Sequence, residues 1–432
     1  MATYVVDSSA FLGTLVFDFG SVTTRAGFAG DDTPRALYPS TLCCTGPSSS
    51  GGLQAWGVVE HDAHLPTETL AAVQARDLVL PSGRRDEGVL NGLLHHGLQR
   101  LGCASWAEHP LLLSEPTGAL AAERRRTAEL VFEELGAPAL CVVRAAELAA
   151  VAAARPTAVV LEAGADSSSA AVVIDGALAP RSLQTSPLGG TALAAHFARS
   201  IEPSIGAVEP GCTLRARCHD SLTRVRTFDV QRAMCEASLR CSELTSAVKA
   251  QAAAQAASAG RKRGPPPPPP KEEPGVDYTL PDGRTVHITD AQRVAASETL
   301  FEEVAVGEAG ATSTPLQRLA LNAIGSVDTE LHKELLKNVV FTGGVASMPG
   351  LPERLDGELR DGAVVSPLPS LVTHAHRIAV AIGSPHDRRH GAWLGGSILG
   401  SMASHQGLWM SRAEYDEHGA TLIGRRGMQY AW

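Results

Sequence analysis

Cysteines at metal-ligand spacing are missing from this sequence. Its 432 residues include eight cysteines, but these do not form the close pairs that hold zinc. The cysteines closest in sequence are adjacent, as are Cys43 and Cys44, or six positions apart, as are Cys212 and Cys218. An apolar signal segment at the N-terminus is missing as well. We therefore expect no zinc site, and thiols that stay reduced in the cytosol or nucleus.

Long basic blocks and long apolar runs are also missing. The sequence has 37 basic and 46 acidic residues, a formal charge of −9, and its longest basic block is Arg261–Arg263. Duplex nucleic acid binds strongly basic surfaces, so we expect no direct, specific DNA contact. The alanine-rich stretch from Ala139 to Ala154 is interrupted by Arg144 and Glu147. Because it is too short to span a bilayer, we expect no membrane contact.

What the sequence does contain is enough apolar material for a large core. Apolar residues make up 44% of the chain, and its length exceeds that of one ordinary domain. A helical pattern from Glu87 to Leu101 is followed by a strand-like segment from His109 to Pro116, and a second helical pattern runs from Thr127 to Leu135. This alternation predicts an α/β fold with two lobes.

One turn between two apolar strands has the residues of a phosphate-binding loop. The segment Leu15–Phe28 places Asp18, Gly20 and Ser21 at the turn. Gly20 can direct its backbone N–H toward a phosphate, Ser21 adds a hydroxyl donor, and Asp18 can hold a magnesium ion through the ion's water shell. The alternative interpretation is an ordinary β-hairpin turn, which uses the same residue types.

The pattern of the first hairpin occurs a second time. From Ala158 to Gly176 an apolar strand again enters a glycine-containing turn, and a second strand leaves it. A further strand, which starts near Lys337, ends in the pair Gly343 and Gly344, where the backbone can approach a flat or anionic ligand. Two such hairpins predict two similar lobes that face each other across a cleft, with a nucleotide between the turns.

Two segments lack the periodicity of helices and strands. Residues 43–60 are rich in serine, glycine and cysteine and predict a surface loop. Residues 255–276 include a run of six prolines and predict a disordered insert, because polyproline cannot join a helix or a sheet. A linker is the first interpretation of this insert. The alternatives are a docking peptide for an aromatic groove and a nuclear import signal in Arg261–Arg263.

These three glycine loops in order, together with three short blocks, resemble the actin family within the wider group of sugar kinases and Hsp70-type chaperones. The blocks are Phe28–Asp32, Trp393–Leu399 and Trp409–Glu417. The resemblance implies an α/β, actin-like fold in which two similar lobes surround a nucleotide cleft and each lobe carries an inserted smaller subdomain. It divides the chain into a first lobe at 1–155, a second lobe at 156–390, and a C-terminal segment at 391–432 that returns to the first lobe.

Two further blocks point to a subgroup of this family. Ser186–Gly190 and Tyr278–Gly283 are similar to the nuclear actin-related proteins of chromatin-remodelling and histone-acetyltransferase complexes. This resemblance implies a non-catalytic scaffold subunit in the nucleus, with some in the cytoplasm. The implied partners are a helical segment of a remodelling ATPase or scaffold subunit and actin itself, with nucleosomes bound only indirectly. A divergent actin-like protein of another role is the alternative.

The resemblance also assigns residues to a nucleotide site. It implies ATP or ADP with Mg²⁺ as the cofactor, with Asp18 and Glu162 holding the ion through water. Gln231 and Arg232 stand where actin has a Lys-Glu pair at the nucleoside, so we expect an altered adenosine pocket. The matched nucleotide-binding residues are Asp18, Gly20, Ser21, Arg25, Glu162, Gly164, Gly343, Gly344, Met348 and Arg389.

Several positions that support hydrolysis in actin hold other residues here. Ala145 matches the Gln that orients the attacking water, Ala165 matches an Asp, and Ser169 matches a His. Phosphoryl transfer depends on positioning and charge stabilisation, so we expect negligible ATP hydrolysis and no enzyme. The alternatives are a cytoskeletal actin-like ATPase and a filament-forming protein. For a filament, the segment Cys43–Glu60 is a poor match to the loop that inserts into the next subunit.

Overall fold

The computed structural model describes most of the chain. The described residues are 13–45, 54–58, 73–78, 85–179, 181–205, 220–251, 274–306, 310–381, 383–402 and 407–426. The predicted proline-rich insert at 255–276 lies outside the described residues up to position 273, and a strand begins at Val276. Within the described stretches, no helix has both the length and the hydropathy that crossing a bilayer requires.

The first sheet has six strands in mixed directions. Its central strand β1 (Leu15–Phe19) is buried at every position, as expected for a strand covered on both faces. It pairs antiparallel with β2 (Thr23–Phe28) and parallel with β7 (Leu111–Glu115). The other strands are β3 (Ala36–Pro39), β8 (Ala139–Arg144) and β19 (Met410–Ser411), in the order β19-β8-β7-β1-β2-β3. We call this sheet and the helices packed on it the first lobe.

The second sheet repeats this arrangement and forms the second lobe. Strand β9 (Ala158–Ala163) pairs antiparallel with β10 (Ser168–Ile174) and parallel with β17 (Val339–Thr342). Its other strands are β11 (Ala177–Leu178), β12 (Gln184–Ser186) and β18 (Val380–Ala381). The order β11-β10-β9-β17-β18 has the same pair directions as β3-β2-β1-β7-β8. The two predicted hairpins and the two similar lobes are therefore confirmed.

A small antiparallel sheet follows β3 and corrects one prediction. Its strands are β4 (Thr41–Thr45), β5 (Gln54–Val58) and β6 (Val73–Asp77), with β4 in the centre. The surface loop predicted at 43–60 is therefore wrong at residues 43–45 and 54–58. Strand formation depends strongly on tertiary context, and here the central strand β4 also pairs with β6, which lies beyond residue 60.

The second lobe carries two short hairpins. Strands β13 (Val276–Thr279) and β14 (Thr285–Ile288) flank a turn with the sequence Pro-Asp-Gly. Gly283 in this turn has a φ of +86°, which glycine adopts without strain. Strands β15 (Ala305–Val306) and β16 (Ala311–Thr312) form the second hairpin.

The described helices cover both lobes. One prediction needs correction: the helical pattern at 127–135 belongs to a helix that starts at Ala121 and ends in a π-helix, Leu130–Leu135. Its first turns are mostly exposed and polar, so apolar spacing could not detect them. The helices include α1 (Glu87–Arg100), α2 (Ala121–Glu129), α3 (Ala145–Ala152), α4 (Gly190–Ile205), α5 (Asp220–Ser238), α6 (Asp290–Glu298), α7 (Leu316–Gly325), α8 (Thr329–Leu335), α9 (Leu351–Val364), α10 (Pro369–His374), α11 (Pro385–Ser401) and α12 (Arg412–His418).

Helix α11 contacts both sheets. A Cβ atom added at Gly391 would lie 2.7 Å from Thr342 Oγ1 on β17, and one added at Gly396 would lie 2.8 Å from Val16 Cγ1 on β1. Trp393, which is fully buried, donates from Nε1 to the Val16 carbonyl oxygen at 3.1 Å. The chain therefore passes from the second lobe to the first along this helix.

Helices α3 and α11 approach each other most closely at Gly395. A Cβ atom added there would lie 1.8 Å from the Leu148 carbonyl oxygen on α3. No real Cβ can occupy that position, so the two helices can stay at this distance only with glycine at residue 395.

We expect Gly395→Ala to destabilise the protein by about 3 kcal/mol, because overpacking outweighs the gain in helix propensity of roughly 1 kcal/mol. The same change at exposed Gly424, where an added Cβ would meet nothing within 4 Å, serves as the matched control. Chemical denaturation of both variants measures the difference. A Gly395→Ala protein as stable as Gly424→Ala would contradict the close crossing.

Candidate functional site

A cavity of about 580 Å³ lies between the two lobes. Its walls come from the β1–β2 turn, the β9–β10 turn, the loop after β17, and helices α3, α5 and α11. Pockets of this size hold small-molecule ligands and cofactors. All ten residues of the predicted nucleotide site line it: Asp18, Gly20, Ser21, Arg25, Glu162, Gly164, Gly343, Gly344, Met348 and Arg389. Their role in nucleotide binding stays a prediction.

The β1–β2 turn forms the first wall. Gly20 donates its backbone N–H to the Thr23 carbonyl oxygen at 3.1 Å, and a Cβ added at Gly20 would lie only 2.9 Å from that oxygen. Glycine is therefore needed for the tight turn. Ser21 and Val22 continue the lining toward the cavity.

Asp18 and Arg25 form an ion pair at this wall. The strand register places them opposite each other, and Arg25 Nη1 donates to Asp18 Oδ2 at 2.9 Å. Ser114 Oγ donates to Asp18 Oδ1 at 2.5 Å. Each side chain of the pair is only 12% exposed. Both carboxylate oxygens of Asp18 thus accept hydrogen bonds from the protein itself.

His390, on α11, holds the other edge of the Arg25 guanidinium. Arg25 Nε donates to His390 Nδ1 at 3.0 Å, so this ring nitrogen must be unprotonated. Burial, followed by the nearby charge of Arg25, lowers the pKa of His390 from 6.5 to about 4. The imidazole is therefore neutral at pH 7, as the hydrogen bond requires.

Glu162, at the end of β9, lies on the second wall. Its Oε2 accepts hydrogen bonds from Thr117 Oγ1 at 2.8 Å and from Ser169 Oγ at 3.2 Å. Burial raises the pKa of Glu162 above its usual value, and these two hydrogen bonds oppose the rise. Gly164 closes the adjoining turn by donating its N–H to the Ser167 carbonyl oxygen at 3.0 Å.

The two glycines after β17 differ in the space around them: Gly343 has no room for a side chain, and Gly344 has. Gly343 has a φ of +106°, and a Cβ there would lie 2.3 Å from the Ala163 carbonyl oxygen, so this residue joins the loop tightly to the end of β9. Gly344 has a helical φ of −61°, and a Cβ there would meet nothing within 4 Å. A side chain at Gly344 would therefore enter open space beside the cavity wall that Met348 continues.

Arg389 pairs with helix α5 at the other end of the cavity. Its Nη2 donates to Glu236 Oε2 at 2.7 Å, and Arg232 Nη1 donates to Glu236 Oε1 at 3.3 Å. Among the described residues of α5, Gln231 does not line the cavity, whereas Arg232 does. Adjacent helical residues diverge by about 100°, so Gln231 and Arg232, which stand where actin has its Lys-Glu pair, do not both face the cavity.

The residues that stand where actin has groups supporting hydrolysis line the cavity wall, but they offer few polar groups to it. Ala145 is the first residue of α3 and contributes only a methyl group. Thr117 Oγ1 accepts the Ala146 backbone N–H at 3.1 Å, and both Thr117 and Ser169 donate to Glu162. The hydroxyl groups near Ala145 are thus already engaged in the wall.

Several polar residues that line the cavity or contact its lining were not identified from the sequence. Ser114 lies near the carboxyl end of β7 and Thr117 just beyond it. Polar groups at the carboxyl ends of parallel strands are typical of α/β binding sites, so the sequence did carry a signal for these two residues. His390 had no local signal, because its partner Arg25 is 365 residues away. Glu236 lies one helical turn beyond Arg232. The resemblance matched Arg232 to a nucleoside position of actin and did not extend to Glu236.

The donor set fits a nucleotide better than it fits a metal ion. The volume, the backbone turns and the cationic Arg25 suit a nucleoside phosphate. The charge of Asp18 is already balanced by Arg25. Among the described residues there is no group of three or more His, Cys, Asp or Glu side chains that could hold a metal ion. The predicted Mg²⁺ contacts of Asp18 and Glu162 stay a prediction that this arrangement does not favour.

Two similar α/β lobes that share a strand order and enclose one cavity define a class of two-lobed, cleft-containing proteins. Within that class this chain belongs to the actin family, whose sequence pattern it matches over residues 10–428. Its similarity to curated relatives extends over nearly the full length. Proteins named actin-related protein 4 from Oryza sativa subsp. indica, Arabidopsis thaliana and Gibberella zeae are 27%, 28% and 29% identical to it. The alignments cover 96% of this chain and 98%, 98% and 95% of those relatives.

We expect His390 to contribute to acid destabilisation. Because its folded pKa is lower than its unfolded pKa, the unfolded chain binds about one proton more than the folded chain between roughly pH 6.5 and pH 4. The free energy of unfolding therefore falls through this site as the pH falls, by about 1.4 kcal/mol per pH unit.

Denaturation between pH 7 and pH 4 measures this slope in the wild type and in His390→Asn, whose side-chain oxygen can still accept from Arg25. In the variant, the free energy of unfolding should fall less steeply with falling pH than in the wild type, and the difference in slope should correspond to about one proton. His418→Asn, at an exposed position, is the matched control and should keep the wild-type slope. Equal slopes in all three proteins would show that His390 titrates normally.

Proposed function

We propose that this actin-related protein is a non-catalytic scaffold subunit that binds ATP or ADP without appreciable hydrolysis. The observation that carries the proposal is Ala145 at the start of α3, where a methyl group lines the cavity at the position matched to the water-orienting Gln of actin. A methyl group cannot hold or polarise a nucleophilic water. The cavity therefore retains the shape of a nucleotide site while lacking a positioning group that hydrolysis needs.

The surroundings of Ala145 support the same conclusion. Ala165, matched to an Asp, also lines the cavity with a methyl group. Ser169, matched to a His, directs its hydroxyl to Glu162. Removing a single preorganised polar group from a reacting site typically costs about a hundredfold or more in rate, so three such changes are sufficient to silence the reaction.

The proposed setting is a nuclear chromatin-remodelling or histone-acetyltransferase complex. Support comes from the blocks Ser186–Gly190 and Tyr278–Gly283 and from full-length similarity to proteins named actin-related protein 4. In this setting the protein binds a helical segment of a remodelling ATPase or scaffold subunit, and actin, and reaches nucleosomes only through these partners. The nucleus is its main location, with some protein in the cytoplasm.

We expect the purified protein to bind ATP and to leave it intact. Isothermal titration measures binding, and a single-turnover assay with labelled ATP measures cleavage beside conventional actin. The expected cleavage rate is at least about a hundredfold below that of actin, because the positioning groups are missing. Cleavage at the actin rate would refute the non-catalytic assignment.

A variant pair tests whether binding occurs in this cavity. A Cβ at Gly344 meets nothing within 4 Å and the residue lines the cavity, so we expect Gly344→Phe to direct a ring into the cavity and abolish ATP binding while thermal unfolding stays near the wild type. Gly344→Ala adds only a methyl group and should keep binding. Unchanged affinity in Gly344→Phe would place the nucleotide elsewhere.

We expect the native protein to purify from nuclear extract with subunits of a remodelling or acetyltransferase complex. Affinity purification through a tag at its chromosomal locus, followed by mass spectrometry and sizing, gives the partners. Tagged conventional actin is the control for proteins that bind any actin fold. Recovery as a monomer or filament without such subunits would contradict the proposed setting.

A further inference from the structure

We propose that Arg25 takes the place of a divalent cation at the phosphate end of the cavity, so that the protein binds a nucleoside di- or triphosphate free of metal. The inference rests on the proposed function, because it specifies the form in which the cavity takes its nucleotide. It departs from the expected Mg²⁺ complex on the basis of how the charged side chains of the wall are paired.

The carboxylate that would face the ion is already neutralised. Asp18 Oδ2 lies 2.9 Å from Arg25 Nη1, and Oδ1 lies 2.5 Å from Ser114 Oγ. With both side chains of the pair 12% exposed, water screens their attraction weakly. A hydrated Mg²⁺ bound by Asp18 would have to displace the guanidinium or lie beside it, and either arrangement costs electrostatic energy.

The second carboxylate is partly engaged by protein donors. Glu162 Oε2 accepts from two hydroxyl groups, those of Thr117 and Ser169. Among the residues that the structure describes, there is no third acidic or metal-ligating side chain that joins these carboxylates in a cluster. The protein therefore supplies a fixed monovalent cation at this wall instead of a set of metal ligands.

Arg25 is held so that one edge of its guanidinium stays available. Nε donates to His390 Nδ1 at 3.0 Å, and Nη1 donates to Asp18 at 2.9 Å. Within the described part of the chain, Nη2 has no hydrogen-bond partner, and Arg25 lines the cavity. A guanidinium fixed on two sides by other groups is preorganised to donate to a phosphate oxygen.

The Ser21 hydroxyl beside Arg25 completes an anion site without a metal. Ser21 lines the cavity at the same turn, whereas the Gly20 N–H donates to the Thr23 carbonyl oxygen inside the turn. A guanidinium cation with an adjacent hydroxyl donor suits a phosphate oxygen. The geometry thus assigns to Arg25 the charge compensation that a bound metal ion gives in other nucleotide sites.

Equilibrium binding of ATP and of ADP to the full-length protein, with excess EDTA or with millimolar MgCl₂, tests the inference. For the wild type we expect dissociation constants that agree within about threefold in the two buffers. For Arg25→Gln in EDTA we expect a loss of about ten- to a hundredfold, because a charge-assisted hydrogen bond and its cation are removed. Mg²⁺ should then restore part of that loss, since Asp18 is freed to face an ion.

Arg35→Gln is the matched control. Arg35 pairs with Asp31 on the surface, where it is 59% exposed, and it does not line the cavity, so its removal should change neither affinity nor metal dependence. Circular dichroism and thermal unfolding of all variants report whether they are folded. Metal and nucleotide analysis of the wild-type complex after gel filtration from Mg²⁺-containing buffer gives a second readout that needs no variant.

The outcomes separate this inference from the proposed function. Wild-type binding that occurs only with Mg²⁺, or Mg²⁺ recovered in equal amount with the nucleotide, would overturn the inference and leave nucleotide binding intact. Wild-type affinity of Arg25→Gln in EDTA would also overturn it. Absence of binding in both buffers would overturn the proposed nucleotide binding, and the inference with it. Nucleotide recovered without metal supports it even if Arg25→Gln does not fold.

Discussion

The close contact between α3 and α11 is the constraint on which the rest of the structure depends. At Gly395 the two helices approach so closely that even one added carbon would meet the Leu148 carbonyl oxygen at 1.8 Å. Helix α11 packs on both sheets, so this contact sets how far apart the lobes lie. The same two helices bring Ala145 and Arg389 to the cavity and place His390 against Arg25, which lines it. The width of the cavity and the position of its polar groups thus follow from one packing contact.

The charged groups of the cavity are satisfied largely by one another. Asp18 is paired with Arg25, and Glu236 receives both Arg232 and Arg389. Asp18 and Arg25 are largely buried, and a buried charge without a partner is costly, so their pairing stabilises this wall of the cavity without a ligand. It also means that the acidic groups face protein donors. A site organised in this way is suited to holding a ligand as part of a scaffold, which agrees with the proposed loss of catalysis.

Much of the fold could be predicted because it is encoded locally. The apolar strands and glycine turns at Leu15–Phe28 and Ala158–Gly176 gave both hairpins, and their repetition gave the two lobes. The loop predicted at 43–60 was wrong in part, since β4 and β5 are stabilised by pairing across the small sheet and not by their own composition. Likewise, the start of α2 at Ala121 carries no apolar stripe, so periodicity could not find it.

The sequence by itself determined the family, the two-lobed architecture and the residue types at the cavity, including the methyl group at Ala145. These follow from the order of residues along the chain, because strands, turns and motifs are short. Only the tertiary structure decided which side chains pair. Arg25 meets its partner His390 across 365 residues, and Ser114 reaches Asp18 across 96. Such contacts depend on how the sheets and α11 pack, so the electrostatic character of the cavity emerges only when the chain is folded.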